Sequence, residues 1–160
     1  ASAIYWHFKD KDDLIAAVIE RSFATWLPAW TLPDEGEPVE RVVAMATQIA
    51  KALLESPDFL RLGLMLALER RPVEPRARAV FVQVRRQAFN AVARAMRELA
   101  PLSDAQAHQL TTYAMAGGDG LFIAKEIGGD SVDLVALFEL HARVVYAMAE
   151  SMVEGEFGSP

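Results

Sequence analysis

Apolar residues recur every three to four positions along nearly the whole chain, and no stretch alternates with period two between turn residues. That spacing puts them on one face of an α-helix, not of a strand. Leu14, Ile15, Val18, Ile19, Phe23 and Trp26 predict a helix from about Asp12 to Trp26. Asp12 and Asp13 fall in its first turn, where carboxylates favour the positive helix end. Pro28, Pro33, Gly36 and Pro38 then interrupt the pattern. A second helix, from about Pro38 to Leu54, carries Val39, Val42, Val43, Ala46, Ile49, Ala50, Leu53 and Leu54. Proline suits its first position, because the missing N–H would have no partner there. Ser56 and Pro57 read as the N-cap and first residue of a third helix. Phe59 to Leu68 is apolar nearly all round, the pattern of a buried helix.

Arg70-Arg71-Pro72 ends that element. The longest helix follows, from about Pro75 to Leu99, with Phe81, Val84, Ala88, Phe89, Val92, Met96 and Leu99 on one side. Its other face carries Arg76, Arg78, Arg85, Arg86, Arg94 and Arg97. Ser103-Asp104 cap a helix to about Ile127, closed by Gly128-Gly129. Ser131 opens the last, with Leu134, Leu137, Phe138, His141, Val145, Met148 and Met152 in line. The breaks at 27–38 and 70–75 are short enough to lie inside one domain. The expected class is all-α.

Composition narrows the functions. The chain has 160 residues, of which 52% are apolar, enough for one well-cored domain and too apolar for a disordered tail. Its longest apolar runs fall short of the ~20 residues that span a bilayer, and no secretory signal pattern opens it. The absence of cysteine excludes disulfides, thiolate metal sites and thiol nucleophiles. It also fits the cytoplasm, the expected location. A net charge of −6 argues against nucleic-acid binding by the whole surface. The opening differs locally, with Lys9 and Lys11 against Asp10.

Catalytic patterns are missing. His7, His108 and His141 lack paired-ligand spacing, and no Gly-x-Ser-x-Gly elbow occurs. Gly117-Gly118-Asp119-Gly120 is not followed by Gly-Lys-Ser/Thr, so it is no phosphate loop. The carboxylate pairs Asp12-Asp13 and Asp34-Glu35 sit at helix starts or turns, as caps and solvated charge do. No enzyme activity, metal or cofactor is expected.

The opening residues carry the strongest signal. Ile4-Tyr5-Trp6-His7-Phe8-Lys9-x-Lys11, followed by Asp12-Asp13-Leu14-Ile15, resembles the tetracycline-repressor (TetR) family of transcriptional regulators. The resemblance implies that residues 1–11 are the end of a helix-turn-helix DNA-binding domain and include its recognition helix. It implies phosphate contacts at Tyr5, His7 and Lys11, and base-facing positions at Ser2, Ala3 and Trp6. The residue chemistry is compatible. Ser2 and Ala3 are small enough to approach base edges, Tyr5 and His7 carry donors, and Lys9 and Lys11 carry charge. Ile4 and Phe8, four apart, would anchor the helix to its neighbours. The chain opens inside this motif without an initiator Met, so helices that pack under the recognition helix are expected upstream. Residues 156–160 read as a frayed tail or cloning remnant.

For residues 12–155 the resemblance implies a helical ligand-binding and dimerisation domain. Its last two helices would pair with those of a second copy in a four-helix bundle. Asp119-Gly120-Leu121 resembles an Asp-Gly-Leu frequent in the first of these helices. The expected interface is Gly117, Leu121, Phe122, Lys125, Leu134, Leu137, Phe138, His141 and Val145. Read alone, the small residues Ala114, Gly117, Gly118, Gly120 and Ala124 suit a second copy, with an internal helix crossing or a ligand as the alternatives. Trp26, Met45, Gln48, Phe59, Leu62, Met65, Phe81, Arg85, Phe89 and Tyr113 are the expected effector-site residues, though core packing accounts for most of them just as well. The function implied is a homodimeric repressor, released from double-stranded operator DNA by a small, largely apolar effector. The alternative is a helical small-molecule carrier or sensor with no DNA role.

Overall fold

The computed structural model describes residues 8–69, 72–73 and 75–155. Among them the fold is all-α, with six helices and no strand. Helix α1 spans Lys11–Trp26, α2 Pro38–Glu55, α3 Asp58–Leu68, α4 Arg76–Leu99, α5 Asp104–Gly128 and α6 Leu134–Glu154. Helix α6 packs along both α2 and α5, while α4 packs along α1 and α5, with α3 set across α1 and α4.

Local chemistry explains most helix ends. Asp10 caps α1, its side chain accepting from the Asp13 N–H at 2.8 Å. Ser103 and Gln106 form a reciprocal capping box at the start of α5. Gly129, at φ 55°, lets the chain leave α5 in a left-handed conformation that a side chain would strain. Lys125 fastens the turn, its Nζ donating to the carbonyls of Gly129 (2.8 Å) and Val132 (3.0 Å).

Three expectations are corrected here. Ser56 does not cap α3. It closes α2, and Pro57 precedes α3 without a side-chain cap. Ser131 does not open the last helix. It lies in a 3₁₀ turn, and Asp133 caps α6 by accepting from the Ala136 N–H at 3.0 Å. Helix α3 is not buried all round, since Met65 and Leu68 are 68% and 79% exposed. Its buried side is Phe59, Leu60, Gly63 and Leu66. Gly63 is there because the Phe81 ring of α4 occupies the place of its side chain.

The aromatic part of the core joins three helices. Phe59 stacks near Trp26 (ring centroids 4.6 Å), Phe81 (5.6 Å) and Phe23 (6.0 Å). No helix among the described residues is long and apolar enough to cross a membrane.

Candidate functional site: an apolar cavity bordered by an ion pair

All six helices meet around one interior cavity of about 90 Å³. Trp26 at the end of α1 and Trp30 in the following 3₁₀ turn form one wall. Helix α2 contributes Met45, Ala46 and Ile49, α3 Leu60, α4 Val92 and Met96, and α6 Phe138 and Val145. The lining is apolar except at three side chains: Arg85 on α4, Asp119 on α5 and His141 on α6.

Arg85 and Asp119 form an ion pair at 2.7 Å, with side chains 25% and 22% exposed. Both positions follow from helix register. Arg85 lies four residues after Phe81 and seven before Val92, both buried on α4. Asp119 lies four after Met115 and three before Phe122, both buried on α5. Burial raises the Asp119 carboxyl above its ordinary range, while the charge and hydrogen bond of Arg85 pull it back. The pair also lines an open groove on the outer surface between α4 and α5, together with Arg86, Phe89, Met115 and Thr112. With Met115, it forms the boundary that cavity and groove share.

His141 faces α5. Its Nε2 is 2.9 Å from the Ala114 carbonyl, and since a carbonyl only accepts, Nε2 carries the proton and donates. Gly117 makes room for it, because a Cβ there would overlap the imidazole. Two further donors have no partner: the indole N–H groups of Trp26 and Trp30 are buried and unbonded. Buried donors are almost always paired, so two such groups on one cavity mark it as a place for an acceptor atom.

The expected effector residues scatter. Trp26, Met45 and Arg85 line the cavity. Phe59 and Phe81 are buried in the adjoining aromatic cluster, and Phe89 lines the outer groove, its ring 5.2 Å from His108. Gln48, Met65 and Tyr113 are corrected: they are exposed on the surface and do not reach the cavity. Leu62, half-buried, also lies off it. A helical stripe is wide enough to serve both a core and a surface, and spacing alone does not show where it ends.

The expected interface is corrected in the same way. Phe122, Leu134, Phe138 and Val145 are buried within the chain's own core and present no surface to a second copy. Gly117 and His141 pack on each other, and Lys125 ties its own turn. Leu121 and Leu137 are half-buried. The large apolar side chains that α5 and α6 leave exposed are Tyr113, Ile123 and Ile127 (83% exposed) on α5, and Leu140, Val144 and Val153 on α6.

Of the expected DNA-contact residues, Ser2, Ala3, Tyr5, Trp6 and His7 lie outside the described residues, as does the tail at 156–160. Lys9 and Lys11 are exposed at the start of α1. Cavity residues that the sequence reading did not assign to ligand binding include Asp119, His141 and Met96. Asp119 left a usable signal, an acidic residue in register with buried neighbours inside an apolar helix face.

No family model matches the chain, and no curated protein matches it.

Proposed function

We propose that this chain is a TetR-type transcriptional regulator whose effector occupies the six-helix cavity. One observation carries the reading. Helix α1 begins at Lys11, the last residue of the Ile4–Lys11 motif, and ends in Trp26, a wall of the cavity. A ligand that prefers one position of Trp26 thereby prefers one position of the opening motif. The equilibrium moves only by the ligand's difference in affinity for the two positions, about 1–3 kcal/mol in ordinary allosteric coupling.

A second copy fits this function, since two reading heads match a two-fold operator. The exposed apolar residues of α5 and α6 support a dimer through those helices, on a surface flanking the one first expected. A net charge of −6 confines DNA contact to the opening segment.

The test is fluorescence anisotropy of duplex DNA taken from beside the protein's own coding region, titrated with the protein at two salt concentrations. Binding tighter than to random DNA at both salts supports the regulator. Binding no better than random DNA, by a folded dimer, removes it and leaves the carrier reading, which needs only the cavity.

A further inference from the structure

We infer that the cavity takes a monoanionic amphiphile, an apolar chain or ring bearing one carboxylate, with the carboxylate held by Arg85 in the wall toward the outer groove. The inference rests on reading the cavity as an effector site and names the chemistry of that effector.

Size comes first. A dry cavity of ~150 Å³ just holds benzene, so about 90 Å³ admits almost no organic ligand unless a wall moves. The packed walls are helix cores. The movable one is the Arg85–Asp119 pair, made of two side chains that border solvent as well as the cavity. Parting them joins cavity and groove into one site, apolar inside and polar at its mouth.

Charge at that mouth selects the ligand. Arg85, Arg86 and Asp119 are the charged residues of the groove, and Arg85, Asp119 and His141 are the titratable or charged residues of the cavity. Two guanidinium groups thus face one carboxylate. A second carboxylate brings the mouth to neutrality, whereas an ammonium would leave two positive charges in excess. Arg85 has five N–H donors in a planar fork that suits a carboxylate, and Asp119 occupies only part of it. The cavity itself offers donors more than acceptors. The Trp26 indole N–H, on a side chain almost wholly buried, has no partner, nor has that of Trp30. His141 already donates through Nε2.

Calorimetric titration of the 160-residue chain with octanoate, octanamide and octylamine tests this. Octanoate should bind about tenfold more tightly than octanamide, the margin between a charge-assisted and a neutral hydrogen bond. Octylamine should bind most weakly. The double variant Arg85→Gln with Asp119→Asn leaves no unpaired buried charge. With its fold verified by circular dichroism, it should lose the preference for octanoate and keep its affinity for octanamide. Octanamide or octylamine matching octanoate would overturn the carboxylate assignment while leaving the cavity as a ligand site. Octanoate binding untouched by the double variant would place it elsewhere and overturn the role of Arg85. Binding of none of the three would remove the effector reading of the cavity along with the inference.

Discussion

Asp12, in the first turn of α1, caps the start of α4: its carboxylate accepts from the backbone N–H of Arg76 at 2.7 Å. It also accepts from the N–H of Ala77 at 3.2 Å, and Asp13 pairs with the Arg76 guanidinium. Helix α4 begins after Pro75 with no side-chain cap of its own. Its unpaired N–H groups are thus satisfied from a different helix, 64 residues away in the chain. Helix α4 is also the helix that carries Arg85. The start of α1 is therefore held to the helix that borders the cavity, and its end, Trp26, lies in the cavity wall.

Asp12→Ala should cost about 1–2 kcal/mol of stability, the usual loss for an N-cap. In the proposed regulator it should also weaken effector-driven release from DNA more than it weakens DNA binding itself. Urea denaturation measures the first effect and anisotropy with and without effector the second. Unchanged release would remove Asp12 from the coupling.

Asp119 makes stability depend on pH. Its carboxyl is raised by burial, so the folded protein holds that proton more tightly than the unfolded chain does. The associated stability is full below about pH 4, where the unfolded group is protonated too. It is lost as pH rises through the higher folded value. Asp119→Asn removes this contribution, so the variant's stability relative to the native chain should improve as pH rises above about 4. Denaturation midpoints across that range decide it, and a difference that stays constant with pH would contradict it.

Thr111 is wholly buried, and its hydroxyl has no hydrogen-bond partner. Valine has nearly the same shape and removes the stranded oxygen. Thr111→Val should leave stability unchanged or raise it by about 1 kcal/mol, the lower end of the cost of an unsatisfied buried group. A loss above about 1 kcal/mol would show that the hydroxyl is bonded in solution.

Gly63 and Phe81 bring α3 against α4. A methyl at position 63 would overlap the ring, and Phe81 is itself packed between Phe59 and the core. Gly63→Ala should destabilise by about 1–3 kcal/mol, in the range of overpacked cores. Thermal unfolding is sufficient to measure it. A neutral outcome would mean that the aromatic cluster can shift.

If the exposed apolar residues of α5 and α6 join two copies, Leu140→Glu with Val144→Glu should give a folded monomer. Sedimentation gives the mass directly. A dimer that survives both charges would put the interface elsewhere.

Helix number and most boundaries were legible in the chain because the helical period and the Pro and Gly breaks are local properties. The same pattern left Arg85 between two places, the polar face of its helix and the effector site. What lay beyond local pattern was the partner of each face. Helices α5 and α6 are apolar around much of their circumference, so period alone does not say which side turns inward; the resemblance put Phe122, Leu134, Phe138 and Val145 at an interface, whereas the fold buries them in the chain's own core. Met65 and Tyr113, apolar in register, ended at the surface. The Arg85–Asp119 pair joins residues 34 positions apart, and the Asp12 cap joins residues 64 apart. Sequence sets which residues share a helix face. Which faces meet is set by how six helices close-pack together, and only that packing put an ion pair, two unbonded indoles and a histidine around one cavity.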